Sequence, residues 1–111
     1  MTVRFDPRSD SLDVPALFPQ VEAGGTRASE LTRIVDERSS RRLPAHKRLD
    51  PRRGALTCSV RNRAVSLRLA VRGGSHAYGV RYLMNLVNDL FVRLQETDPD
   101  YLAAEFGVSG E

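Results

Sequence analysis

The chain is poor in several residue types that mark particular protein classes. Its 111 residues include one cysteine, one lysine and no tryptophan, and aromatic residues make up 6% of the chain. The single cysteine, Cys58, excludes an intramolecular disulfide bond, which favours a reducing, cytoplasmic setting. No apolar run reaches the roughly 20 residues of a membrane-spanning helix, and the N-terminal stretch MTVRFDPRSD lacks the apolar segment of a secretory signal. We therefore expect a cytoplasmic protein without membrane contact.

Motifs for catalysis or metal binding are also missing. His46, His76 and Cys58 are the imidazole and thiol side chains of the sequence, and none stands at a ligand spacing such as CxxC or HxxxH. No Gly-x-Ser-x-Gly segment surrounds Ser75, and the common glycine-rich phosphate fingerprints do not occur. These observations predict a protein that is not an enzyme and that has no metal, cofactor or small-molecule substrate.

The clearest pattern lies between residues 55 and 72. Apolar residues alternate with small or charged ones in ALTCSVR and again in AVSLRLAVR, and this period of two is typical of half-buried antiparallel strands. The intervening Arg61, Asn62 and Arg63 fit a tight turn in which Asn62 tolerates a positive φ. Cys58 falls on the apolar face, where a thiol behaves as a small hydrophobic side chain. The stretch predicts a β-hairpin.

A third strand is expected before this hairpin. The segment DPRRG, residues 50–54, has the residues of a reverse turn. Residues 44–49, PAHKRL, would then form the preceding strand, and Pro44 places it at a sheet edge, where no ladder donor is lost. Residues 44–72 are therefore predicted to form a three-stranded β-meander.

The C-terminal part of the chain changes to a helical period. Ser75, after the pair Gly73-Gly74, is placed to cap a long helix. Asp98 and Pro99 have the features of a second helix start, with Gly107 at its end. The apolar stripe of the long helix comprises Val80, Leu83, Met84, Val87, Leu90, Phe91 and Leu94. Residues 75–107 are predicted to hold a long helix followed by a short one.

The N-terminal part gives weaker signals. Several prolines and a Gly-Gly pair make residues 1–27 read as a loop-rich segment, with a short strand at residues 2–5 and with Val14, Leu17 and Phe18 as anchors to the core. Residues 29–38 fit either a helix or a strand. Residues 1–111 are thus expected to form one two-layer α+β domain, in which three to four antiparallel strands pack on the C-terminal helices.

Charge is distributed unevenly along the chain. Arginine supplies 16 of the 17 basic residues, a bias that a GC-rich genome would produce without any selection for binding. Residues 1–37 carry a net charge of −3, residues 38–81 carry +11 and residues 82–111 carry −5. The middle segment is therefore the candidate binding surface.

The candidate binding residues lie in this middle segment. If the hairpin has the expected register, Arg61, Arg68 and Arg72 project from the sheet face opposite the core, among small residues. The candidates are Arg41, Arg42, Arg48, Arg52, Arg53, Arg61, Arg68 and Arg72. Gly73, Gly74 and Ser75 form a weaker candidate anion site, because a helix start presents free amides.

Two functions remain open at this point. The first is a small protein–protein interaction or assembly module that forms a homo-oligomer, such as a dimer, through its open sheet face or an edge strand, or that binds another protein. The alternative is binding of the nucleic-acid backbone by residues 38–81. The strands carry no aromatic residues on which bases could stack, so the first function is favoured.

Overall fold

The structure, a computed structural model, describes residues 2–40, 43–44 and 48–107. These residues form β1 (Arg4–Asp6), β2 (Ser11–Pro19), α1 (Thr26–Asp36), β3 (Gly54–Arg61), β4 (Ala64–Val71), α2 (His76–Thr97) and α3 (Pro99–Phe106). A short 3-10 turn, Glu37–Ser39, follows α1. No helix in the described part of the chain is both long and apolar enough to cross a membrane.

The strands form one antiparallel sheet in the order β1-β2-β4-β3. This arrangement confirms the α+β class and the two C-terminal helices. The sheet consists of two hairpins, β1–β2 and β3–β4, which meet along β2 and β4. Strands β2 and β4 are therefore central, and β1 and β3 are the two edges.

The predicted hairpin is confirmed with an unbroken register. Pairing runs from Gly54 opposite Val71 to Arg61 opposite Ala64. The two turn residues, Asn62 and Arg63, have φ values of 51° and 60°. Positive φ at both central positions of a two-residue loop defines a type I′ turn, whose twist matches that of the strands.

The loop-rich interpretation of residues 1–27 was wrong for β2. This strand contributes the predicted anchors Val14, Leu17 and Phe18 to the core, and all three are buried. The register of β2 on β4 shifts between Val14 and Phe18, and Ala16 has a φ of 49° within this irregular stretch. Pro15 lies in the same stretch, which is where a sheet tolerates proline. The short strand expected at residues 2–5 is observed as β1.

The strand predicted at residues 44–49 is not observed where the structure describes this segment. Pro44, Arg48 and Leu49 lie outside every strand, and residues 45–47 lie outside the described residues. Leu49 is buried, and its N–H donates to the carbonyl of Arg38. Strand β3, which the meander would have placed in the middle of three strands, is consequently an edge strand.

The helices cover one face of the sheet. Residues 29–38, which fitted helix or strand, are helical through Asp36, and α1 buries Ala28, Leu31, Ile34 and Val35. Met84, expected on the buried stripe of α2, is 55% exposed, and Leu86 is buried instead. The core joins the inner face of the sheet to this layer through Leu12, Val14, Phe18, Val65, Leu67, Leu69, Val71, Leu83, Leu86, Val87, Leu90, Leu94, Tyr101 and Leu102.

The helix boundaries follow their predicted signals. Ser75 occupies the N-cap position of α2, although its side chain makes no capping hydrogen bond. Pro99 stands at the start of α3 after Asp98, and Gly107 ends that helix with a φ of 66°. The Tyr101 hydroxyl donates to the carbonyl of Pro19, which ties α3 to the end of β2.

Candidate functional site at the sheet edge

The backbone of β3 presents free hydrogen-bonding groups along its outer side. The Arg72 N–H donates to the Arg53 carbonyl at 2.9 Å, which makes these two residues a hydrogen-bonded pair across the hairpin. Hydrogen-bonded and non-bonded pairs alternate in an antiparallel ladder. The backbone groups of Leu56, Cys58 and Val60 therefore point away from β4, and they bond to no other described backbone group.

The side chains of these three residues face the helices and are half-buried. The Cys58 thiol lies beside α1, where the Thr32 hydroxyl donates to Sγ at 3.9 Å. Burial raises the pKa of the Cys58 thiol, and the Thr32 bond only partly offsets this effect. The thiol is therefore protonated at neutral pH, and it contributes packing rather than a nucleophile.

A groove runs between the outer side of α1 and the C-terminal part of β3. It has a volume of about 750 Å³, and Thr32, Asp36 and Val60 are among the residues that line it. The groove is open to solvent, and Val60 lines it from β3. A second polypeptide that pairs with β3 would have space beside α1.

The opposite face of the sheet is open, as the alternation predicted. Arg61 and Arg68 project from it, and a shallow depression of about 450 Å³ lies between them. Arg68 is not free, because its guanidinium bonds both carboxylate oxygens of Asp13, at 2.8 and 3.3 Å. Arg61 makes no ion pair with any described residue.

The other candidate arginines do not converge with these two. Arg52, Arg53 and Arg72 lie at the beginning of β3, where Arg72 also donates to the carbonyl of Pro51. Eight residues of extended chain, roughly 26 Å, separate Arg53 from Arg61. Arg48 lies just before this turn and donates to the carbonyl of Leu43. Arg41 and Arg42 lie outside the described residues. Arg68, opposite Thr57 in the middle of β3, lies between this group and Arg61, so the described candidates are spread along the strand and do not converge on one point.

Acidic residues from both ends of the chain neutralise part of the basic middle. The pairs join Arg38 to Asp89, Arg63 to Glu22 and Arg68 to Asp13. Each pair links residues that are distant in sequence. The charge asymmetry of the sequence is thus partly an internal feature of the fold.

The weaker candidate, Gly73-Gly74-Ser75, has an acidic neighbour of its own chain. His76, the first residue of α2, bonds the Asp10 carboxylate at 2.6 Å. This bond raises the pKa of the His76 imidazole. A carboxylate near a helix start interacts favourably with the helix dipole, as a bound anion would. Gly73-Gly74-Ser75 therefore stays a predicted anion site, with the Asp10 carboxylate already near its helix start. Among the described residues, no group of three His, Cys, Asp or Glu side chains could hold a metal ion.

Sequence reasoning missed two features of this region. The first is that β3 lies at an edge, because β2 was not recognised as the other neighbour of β4. The second is Asp13, the partner of Arg68. The alternation of Leu12, Asp13 and Val14 in SLDVP was a signal for the strand β2, but it does not indicate that β2 pairs with β4.

Comparison with known proteins gives no relative of this chain. No family model matches it, and neither a curated protein nor a solved structure shows significant similarity.

Proposed function

We propose that this protein is a non-enzymatic assembly module that forms a homodimer by pairing the β3 edges of two copies. The observation that carries this proposal is the outer backbone of β3, whose N–H and C=O groups at Leu56, Cys58 and Val60 bond to no described backbone group. An edge strand is a template for another strand, and natural proteins usually block it with prolines, lysines, bulges or inward charges. Residues 54–60 contain none of these residue types, and their pairing with β4 has no bulge.

The other edge of the same sheet shows the contrast. Strand β1 is only three residues long, carries Arg4 and Asp6, and is followed directly by Pro7. These are the features that discourage further pairing. β3, by comparison, has eight residues and a half-buried apolar side, with Leu56 and Val60 next to the free backbone. The difference supports β3 as the edge that takes a partner.

The distribution of charge also supports assembly over binding of nucleic acid. A protein that follows a phosphate backbone presents several unneutralised basic side chains along one surface. Among the described candidates, Arg53 and Arg72 lie at one end of β3 and Arg61 at the other. Arg68, which lies between these ends, is bonded to Asp13. The small residues Thr57, Ser59 and Ser66 occupy the face between them.

The first test is the mass in solution together with a variant that blocks the edge. The monomer mass is 12.4 kDa, and light scattering should give twice this value at micromolar to millimolar concentration. Cys58→Pro removes an N–H that does not bond β4, so the fold should persist while the dimer weakens at least tenfold. Cys58→Ala is the matched control, because it removes the thiol but keeps the N–H, and it should remain dimeric.

Amide hydrogen exchange of the unmodified protein gives a reading that does not depend on a variant. Protection at Leu56, Cys58 and Val60 should increase with protein concentration, because their N–H groups are bonded only in the dimer. The N–H groups of Thr57 and Ser59 point towards β4 and should be protected at every concentration. A strict monomer at millimolar concentration, or exchange at the three outer amides that ignores concentration, would refute the proposal.

A further inference from the structure

We infer that the two-fold axis of this dimer lies midway between Cys58 and the partner's Cys58, a position called the Cys58 axis below. Leu56 then lies opposite the partner's Val60, and Thr57 lies opposite the partner's Ser59. The inference rests on the proposed function and specifies the pairing of the same edge. It follows from symmetry, from the hydrogen bonds already made by β3, and from the side chains along it.

Symmetry allows few ways to pair β3 with a copy of itself. Residues opposite each other in an antiparallel pair point to the same face of the sheet. One residue of β3 must therefore pair with its own copy, and the axis lies midway between these two copies. Two positions pair nearly the whole strand, Gly54–Arg61. An axis through Thr57 pairs residues 54–60, and an axis through Cys58 pairs residues 55–61.

The hydrogen bonds of the isolated chain distinguish these two positions. With the axis at Cys58, the bonds are made by the backbone groups of Leu56, Cys58 and Val60, which are free in the described chain. With the axis at Thr57, the ladder also requires the N–H of Gly54. This N–H already donates to the carbonyl of Asp50 at 3.2 Å. Only the Cys58 axis uses free groups throughout.

The side chains favour the same axis. An axis at Thr57 places Arg53 opposite the partner's Arg61, and like charges directly opposite each other destabilise a sheet. An axis at Cys58 places Ala55 opposite that arginine instead. The sequence around Cys58, Leu-Thr-Cys-Ser-Val, is nearly symmetric in character, with an apolar residue at each end and a small hydroxyl residue beside the cysteine. An interface that repeats one surface on both subunits needs this kind of self-complementarity.

The pairing explains the half-exposed apolar side of β3. Leu56 and Val60 face the helices, and both are only partly covered by their own chain. In the Cys58 register, Leu56 lies beside the partner's Val60 and Val60 lies beside the partner's Leu56. Val60 also lines the groove along α1. The result is a continuous eight-stranded sheet with β1 at both ends.

Cross-linking through single cysteines tests the register. In the Cys58→Ala background, Thr57→Cys and Ser59→Cys are made separately, so each chain carries one thiol. Residues 57 and 59 form a non-hydrogen-bonded pair in the inferred dimer, with Cα atoms about 4.5 Å apart, which a disulfide can span. After oxidation of the two thiols by diamide, non-reducing electrophoresis should show cross-linked dimer in the equimolar mixture, at least tenfold faster than with either variant alone.

Each other outcome overturns a defined part of the inference. Efficient cross-linking of Thr57→Cys alone places the axis at Thr57, and efficient cross-linking of Ser59→Cys alone places it at Ser59. No cross-linking in a sample that light scattering shows to be dimeric rules out this register. The exchange of the outer amides of β3 then decides whether the edge is still the interface, and a monomeric sample refutes the proposed function itself.

Discussion

The turn between β3 and β4 holds two side-chain-bearing residues in the left-handed region of backbone space. Asn62 adopts this conformation readily, but an arginine pays a steric cost, as Arg63 does at a φ of 60°. Arg63→Gly should therefore stabilise the protein by about 0.5–1 kcal/mol, since relief of this strain exceeds the extra entropy of glycine in the unfolded chain. Urea unfolding measures the gain.

Arg63→Ala is the control for the loss of charge. It removes the same guanidinium, which lies 3.7 Å from a Glu22 carboxylate with both side chains mostly exposed, but it keeps the Cβ that causes the strain. Such an exposed ion pair contributes little to the free energy of unfolding. Equal stability of the glycine and alanine variants would show that the backbone at residue 63 is not strained.

Single residues also show how far the sequence could predict the candidate site. Alternation placed Arg61 and Arg68 on the open face correctly, because side-chain direction in a strand depends only on position along it. The bond from Arg68 to Asp13 joins residues 55 positions apart, and it depends on which strand lies beside β4. No local pattern contains this information.

At the scale of elements, the sequence predicted what local periodicity and capping determine. The β3–β4 hairpin, α2 and α3 each have a regular period and a clear start or end. Strand β2 was missed because its apolar period breaks at Pro15 and Ala16, where Leu17 and Phe18 are both buried in succession. The register of β2 on β4 shifts at this point. Pairing with β4 therefore stabilises an irregular stretch whose sequence alone is typical of a loop.

The packing of α2 on the sheet depends on one position without a side chain. A Cβ at Gly79 would lie 3.0 Å from both Leu12 Cδ1 and Leu69 Cδ2, which are buried in the core. Gly79→Val should therefore destabilise the protein by about 1–3 kcal/mol, because the helix must move away from the sheet. The change in the midpoint of urea or thermal unfolding measures this effect.

The control for Gly79→Val is Ala77→Val on the same turn of α2. Ala77 is exposed, so this variant introduces the same β-branched side chain without crowding the core. Its cost should stay below about 0.7 kcal/mol, the difference in helix propensity. If both variants lost the same stability, close approach of α2 to the sheet would not be the cause.

At the scale of the whole molecule, topology decides which strand is an edge. The pattern of residues 54–61 is the same whether the strand is central or peripheral. The sequence therefore predicted β3 and its neighbour β4 correctly but wrongly placed a second neighbour, residues 44–49, on its other side. The structure puts β2 on the far side of β4, and this placement leaves β3 with one neighbour. The proposed interface therefore depends on the arrangement of all four strands, which no segment of the sequence specifies alone.

The basic middle segment, residues 38–81, and the acidic segments on either side of it likewise meet only in the folded molecule. Arg38, after α1, bonds Asp89 of α2 at 2.7 Å, and its side chain is only 12% exposed. The neighbouring Tyr82 is half-buried, and this burial raises the pKa of its hydroxyl to about 12. The pair thus joins the basic middle to the acidic C-terminal part at a site where a lone cation is unfavourable.

Asp89→Asn tests this connection, because it keeps the shape of the side chain and removes its charge. We expect a loss of about 1–2 kcal/mol in the free energy of unfolding, between the values for exposed and buried pairs, since Asp89 itself is 48% exposed. Glu30→Gln is the control, because its partner Arg33 is 55% exposed and also bonds Glu37, so its cost should stay below about 0.5 kcal/mol. Urea unfolding at low and high salt separates the two: the Asp89 effect should persist in 1 M salt, whereas equal, salt-sensitive losses would mean that both pairs act only as screened surface charges.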